Sequence, residues 1–260
     1  VVLVLFLAKN VIDLPDSLLR SAHLFIIRAM EQKQRTTLDQ EALVALEENL
    51  PFWKVLSGQQ KETLLASTAR FSYNRWSLLH QDRSECTGLV MVLHGRLRVY
   101  IVSDGGKEIT LYRLFERDVC ILSASCLIRN ITFDVYVQAE TDTTVLRIAT
   151  DAYQKLAEND SRVQDFTNQL VSSRFSDVMW VVEQVVFMSI DRRLAMYLLE
   201  MAAMSDSDTF NTTHEAIARD LGSAREVITR MLNRFQEENL VTVSRGTITL
   251  RDRDGLYKLT

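Results

Sequence analysis

Residues 151–188 run without a Pro or a Gly, and no other feature of the chain limits its fold so tightly. A break-free stretch of that length reads as a short helix over 151–158 followed by a helix of about thirty residues, long for a globular protein. Phe166, Leu170, Phe175, Val178, Val182 and Val185 fall on or near one side of it. Such a stripe either pairs with a second copy of the chain or packs on the chain's own β-domain. The helix length favours pairing, so these six are the expected dimerisation residues.

On the N-terminal side the texture is different. Helical spacing at Leu38, Leu43, Leu46 and Leu50 ends at Pro51, and a second short helix is expected over 59–69. Short β-type runs then follow at 70–73, 88–93, 96–102, 108–114, 119–122, 134–139 and 145–148. They are separated by turn dipeptides, with His94-Gly95 and Asp104-Gly105-Gly106 expected to close hairpins. That pattern predicts an antiparallel, jelly-roll-like β-roll. Beyond the long helix, a helix over 192–203 with Asp191 as cap, a polar loop over 204–211 and a helix over 214–221 capped by Thr213 are expected. The fold class is therefore α+β. The expected organisation is an N-terminal extension over 1–37, a β-roll sensing domain over 38–150, a dimerisation helix and hinge over 151–190, and a C-terminal domain over 191–260.

Charge and cysteine content narrow the function. With 30 Lys+Arg against 34 Asp+Glu, the formal net charge is −4, which excludes a histone-like protein that holds nucleic acid by bulk charge. Cys86, Cys120 and Cys126 are an odd number at no zinc spacing, so neither a disulfide framework nor a structural metal is expected, and a reducing cytoplasm fits. The apolar opening run, Val1 to Ala8, stops at Lys9 and Asn10, far short of a membrane span, and no membrane partner is expected. The first methionine is Met30, and residues 1–29 are expected to be an accessory extension or sequence upstream of the native start. An intact residue 1 in the mass spectrum of the native protein would reject the second option.

The decisive segment spans 213–235, Thr-His-Glu-Ala-Ile-Ala-Arg-Asp-Leu-Gly-Ser-Ala-Arg-Glu-Val-Ile-Thr-Arg-Met-Leu-Asn-Arg-Phe. Ala218 is small where two helices must cross closely, Gly222 can take the positive φ of a tight turn, and Ile228 can lock a second helix into the core. This is helix-turn-helix spacing. Ile217, Leu221, Val227, Ile228, Met231 and Leu232 then face inward, leaving Ser223, Arg225, Glu226, Thr229 and Arg230 outward. An Arg can fork to guanine and a Glu can accept from the cytosine amino group, so Arg225, Glu226 and Arg230 suit a G·C-containing half-site. The competing reading is a solvated face, since Glu226 and Arg230 stand at ion-pair spacing. The strand pair 240–243 and 247–250 around Ser244-Arg-Gly246 tips the balance, because it makes a wing. Arg245 at its tip, with Thr213 and Ser223 at helix starts, is an expected phosphate contact.

In this order of parts, β-roll, long helix, Asp191-Arg-Arg-Leu-Ala and a winged helix-turn-helix, the chain resembles the CRP/FNR family of bacterial transcription regulators over about residues 40–260. The match is specific in Ser223-Ala-Arg-Glu-Val-Ile-Thr-Arg230. The resemblance implies double-stranded DNA as partner, a homodimer reading a near-palindromic TGTGA-like operator through Arg225, Glu226 and Arg230, allosteric control by an effector in the roll, and RNA polymerase as a further partner.

The resemblance does not carry over the family's known cofactors. Members that take cyclic AMP hold its phosphate with a Gly-Glu turn and an Arg-Ser pair; here residues 116–133 lack glycine, and Arg129 is followed by Asn130. Cyclic AMP is not expected. An iron-sulfur cluster of the FNR type needs cysteines at the N-terminus, and none precedes Cys86. Cys120 and Cys126 are left with three roles: inert core residues, a thiol-redox switch tuned by Arg117 or Arg129, or soft ligands of a metal or haem with His80, His94 or Met91. Catalysis is not expected, because no His-x-His pair, Ser-His-Asp set, nucleophile elbow or phosphate loop is present. A module that binds ligands or proteins but no DNA is the rival of another class.

Overall fold

The computed structural model describes residues 38–80, 87–123 and 134–260. Helices α1 (Gln40–Asn49) and α2 (Gly58–Ala66) open the described chain. Each starts where a side chain captures a free backbone N–H: Asp39 accepts from Ala42, and Ser57 with Gln60 forms a capping box. Eight strands follow: β1 (Thr68–Tyr73), β2 (Leu78–His80), β3 (Leu89–His94), β4 (Leu97–Val102), β5 (Glu108–Leu114), β6 (Val119–Cys120), β7 (Tyr136–Ala139) and β8 (Thr143–Ile148). They form two four-stranded antiparallel sheets, in the orders β1-β8-β3-β6 and β2-β7-β4-β5, and are the β-roll of the α+β fold.

One expected hairpin is not one. β4 and β5 pair around Asp104-Gly105-Gly106, but β3 and β4 lie in different sheets, so His94-Gly95 is a crossover between the layers. Gly95 has φ +89, and a Cβ there would lie 2.5 Å from the Asp142 carbonyl oxygen, so the chain changes sheets by passing hard against the β7–β8 turn. The alternation read along 88–102 is common to both outcomes and cannot tell them apart.

Helix α3 (Thr150–Asn159) leads to α4 (Ser161–Phe187), whose first turn is capped by Asp160 accepting from Arg162 N at 3.0 Å. The expected stripe on α4 divides into two. Phe166 packs edge-on against Phe52, with ring centroids 5.4 Å apart, and Leu170 and Val178 lean on the same core. Phe175 (65% exposed), Val182 and Val185 face outward, joined by Met179 and Val186. Phe175, Met179, Val182 and Val186 follow one another at the 4-3-4 spacing of a coiled-coil seam.

The C-terminal part has its own core, built by α5 (Ile190–Met204), β9 (Thr209–Asn211), α6 (His214–Leu221), α7 (Arg225–Glu237), β10 (Val241–Ser244), β11 (Thr247–Leu250) and α8 (Arg253–Leu259). Three details depart from expectation. Ser189 occupies the N-cap position of α5 and Asp191 lies in its first turn, because the helix begins before Arg192. The polar 204–211 segment contains β9, since Phe210 is buried and pairs with Ile248 of β11, making the wing three-stranded. After the wing the chain adds α8, which buries Leu256. Among the described residues no helix is long and apolar enough to cross a membrane.

Candidate nucleic-acid interface

The two helices of the motif are set by short-range chemistry. Thr213 accepts from Ala216 N at 3.1 Å and starts α6; Gly222, at φ +61, ends it, and Ser223 N donates back to the Ala218 carbonyl at 2.9 Å. Ala218 is buried at the crossing, and Ile228, Leu232 and Phe235 turn one face of α7 into the core. A Cβ at Gly222 would meet Ile109 of the roll at 3.2 Å, so the turn is pinned by its backbone conformation and by its neighbour. Gly222→Ala is expected to cost about 1–2 kcal/mol through the left-handed backbone alone. A urea melt of the variant checks this, and an unchanged midpoint would contradict it.

On the outer face of α7, Arg225, Glu226 and Arg230 are exposed, and their side chains make no hydrogen bond or ion pair among the described residues. The ion pair that their spacing allowed between Glu226 and Arg230 does not form, so their donors and acceptor face solvent. Thr229 instead joins the two helices, because its hydroxyl donates to the Arg225 carbonyl (2.9 Å) and lies 2.9 Å from His214 Nδ1, which ties α7 to α6. Arg245 is exposed in the turn between β10 and β11, and Ser223 sits half-buried in the turn before α7. The fold thus puts Thr213, Ser223, Arg225, Glu226, Thr229 and Arg230 on one short helix-turn-helix, with Arg245 at the tip of the wing.

Two contributors to the placement of this motif were not read from the sequence. Buried Arg193, within the Asp191-Arg-Arg-Leu-Ala segment, donates through Nη2 to the Leu221 carbonyl and closes the C-terminal end of α6. Asp220 points the other way, into the roll, where it accepts from Arg113 Nη2 (2.6 Å) and the Thr110 hydroxyl (2.6 Å) and lies 3.1 Å from Arg98 Nε. Burial raises the pKa of Asp220, but the Arg113 and Arg98 guanidiniums outweigh it and hold the carboxyl below its ordinary value. Nothing in the one-dimensional pattern marks an aspartate on α6 as the partner of arginines on β4 and β5. The only signal was its place beside the inward Leu221.

The residues singled out for effector binding fare unevenly. Cys86, Cys126 and Arg129 lie outside the described residues. Cys120 is fully buried in β6, and burial pushes its thiol above the ordinary value, opposite to what a reactive thiolate needs. Cys120 is expected to stay unmodified by an aromatic disulfide reagent in the native protein and to react only on unfolding; rapid native modification mapped to Cys120 would contradict this. His80 sits 3.0 Å from the Thr87 hydroxyl and His94 bonds to Glu41 at 2.5 Å, and the described residues contain no cluster of three or more His, Cys, Asp or Glu able to hold a metal. In the described part of the stretch compared with the cyclic-AMP cassette, Ile121 and Leu122 are buried and the Ser123 hydroxyl is bonded to the Gly88 and Cys120 carbonyls. The rest of that stretch, residues 124–133, lies outside the described residues. A cavity of about 410 Å³ does lie between β5, α4 and α5, lined among others by Tyr112, Trp180, Gln184, Arg193 and Glu200.

Comparison with known proteins places these features. Residues 70–160 match the model of the cyclic nucleotide-binding domain, and residues 192–259 match that of the Crp-like helix-turn-helix domain. The crystal structure of a crp/fnr-family protein from Eubacterium rectale is 44% identical, superposes with a TM-score of 0.79, and covers 82% of this chain and 99% of its own. The cAMP-activated global transcriptional regulator Vfr of Pseudomonas aeruginosa is 22% identical over 206 residues, which span 73% of this chain and 92% of Vfr. The c-di-GMP responsive global regulator CLP of Xanthomonas campestris shares the fold at 18% identity and a TM-score of 0.63, over 75% of this chain and all of its own.

Proposed function

The chain belongs to the Crp/Fnr family of DNA-binding transcription regulators, and from that premise we propose that it acts as a homodimer whose two α7 helices read the halves of a near-palindromic, TGTGA-like operator. The observation that carries the reading is the exposed, unpaired set Arg225, Glu226 and Arg230 at the start of α7. Arg225 and Arg230 are the guanine readers, Glu226 accepts from cytosine, and Thr213, Ser223 and Arg245 hold the flanking phosphates. Thr229 orients the reading face through His214 and Arg225. Pairing through Phe175, Met179, Val182 and Val186 would set the two recognition helices about 34 Å apart, one turn of duplex. The protein acts in the cytoplasm.

Control is allosteric. Helix α4 leans on the roll through Phe166, Leu170 and Val178 and also walls the cavity through Trp180 and Gln184, so a ligand that moves α4 changes how two chains pair. By linkage, operator DNA must tighten that ligand's binding by the factor by which the ligand tightens DNA binding. Selection of bound duplexes from a random pool at low salt tests the reading: an inverted repeat of TGTGA type is expected. Enrichment of a non-symmetric motif, or of none with and without a metabolite extract, would contradict it.

A further inference from the structure

The face where α6 meets the roll holds more positive charge than the carboxylates of the described residues neutralise. Arg98 on β4 stands directly across from Arg113 on β5, a like-charge cross-strand pair that is unfavourable unless an anion lies between them. Asp220 is that anion, 3.1 Å from Arg98 and 2.6 Å from Arg113, while Glu140 joins Arg113 (3.0 Å) to Arg96 (2.7 Å). These contacts do not complete the set. Arg98, whose side chain is 3% exposed, bonds to Glu108 through Nη1 and to Thr110 through Nε, and its Nη2 has no partner among the described residues. Arg219 on α6 likewise has a buried Nε without a partner among the described residues. A buried guanidinium N–H left empty is costly, and such groups are normally filled by a ligand, an ion or water.

Both arginines line one cleft of about 330 Å³ between the roll and the helix-turn-helix, which Arg75 and Trp76 also line. Five arginines line it with Glu140 and Asp220, and Glu108 and Glu200 reach Arg98 and Arg113 from outside the lining, so among the described residues one guanidinium is in excess. Trp76 is held at φ +71 with its ring half exposed; the Arg75 guanidinium lies 4.6 Å and that of Arg219 5.9 Å from the ring centroid. Neither Arg75 nor Arg219 has a carboxylate partner among the described residues. The cleft therefore presents a buried donor, two uncommitted guanidiniums and a flat apolar surface around an unneutralised positive charge, the donor set that suits a phosphate dianion.

We propose that this cleft is a binding site for a small phosphorylated ligand, held by Arg98, Arg219 and Arg75 beside Trp76. Since Arg75 and Arg98 belong to the roll and Arg219 to the helix-turn-helix, a bound dianion fastens α6 to the roll in the arrangement that the Asp220 contacts already hold, and so favours that arrangement over others. The effect on DNA rests on the regulator reading above, whereas the binding itself is measured without DNA, so the two can fail separately. A phosphate in this cleft could also come from the DNA backbone, and the test separates the sources.

Titration calorimetry with pyrophosphate, at an ionic strength fixed with potassium chloride, should show one saturable site per chain. Arg219→Gln and Arg75→Gln, both outside the Arg98–Asp220–Arg113 contacts, should each weaken it at least tenfold, while Arg225→Ala leaves it unchanged. Circular dichroism confirms that the variants are folded. Absence of saturable binding, or equal binding by the Arg219 and Arg75 variants, would overturn the proposal. So would an Arg219→Gln variant that loses affinity and salt dependence toward duplex DNA while wild-type protein binds no pyrophosphate, because the cleft would then be a DNA-backbone contact.

Discussion

Arg225→Ala is expected to lower operator affinity by at least about 30-fold, because a bidentate arginine–guanine contact is worth about 1–3 kcal/mol and a two-fold dimer loses it twice. Arg225 is exposed and its side chain bonds to nothing else among the described residues, so its removal leaves the fold intact and the loss falls on recognition. Random-sequence duplex is the control: its binding rests on phosphate contacts and should change little. Fluorescence anisotropy with both duplexes checks the difference. A parallel drop on operator and random DNA would make Arg225 a backbone contact and leave the sequence to be read by other groups. Selection with the variant should also relax the preference at one base pair in each half-site.

The second large effect is on assembly. Phe175→Glu combined with Val182→Glu is expected to convert the proposed dimer to monomers, with dimer affinity falling by more than about a thousandfold. Each buried Phe or Val side chain contributes about 1.5–3 kcal/mol, and both partners lose two of them and gain two like charges instead. Both residues are exposed on the single chain, so each monomer should keep its helical content. Sedimentation equilibrium reads the mass, and operator binding should fall with it, since a lone recognition helix holds only half a site. Glutamate at Phe166 is a contrasting case, because that ring packs on Phe52 within the roll and its loss should unfold the roll rather than part the dimer. A Phe175→Glu/Val182→Glu protein that stays dimeric would mean that the chains pair through another surface.

Much of this molecule was legible in order along the chain. The break-free run gave the long helix, the turn dipeptides and alternation gave the roll, and the Ala218, Gly222 and Ile228 spacing gave the helix-turn-helix, each through local rules of a few residues. The features that escaped are those decided across the fold. Whether β3 and β4 share a sheet depends on how tightly Gly95 passes Asp142, which alternation does not record. The stripe on α4 mixes two faces because residues three and four apart serve both the roll and the outer seam. Phe166 and Phe175 look alike in sequence and part company only when Phe52 is in place. β9 was too short to show a period. The meeting of Asp220 with Arg98 and Arg113 joins residues more than a hundred positions apart, and no pattern along the chain announces it.

The measurement that bears most directly on recognition is a hydroxyl-radical footprint of wild-type protein on a duplex selected from the random pool. The expected result is two protected clusters related by a two-fold axis, with centres about 10 base pairs apart, both lost together in Arg225→Ala. A single unsymmetrical cluster, or protection that survives Arg225→Ala unchanged, would contradict a dimer reading DNA through α7.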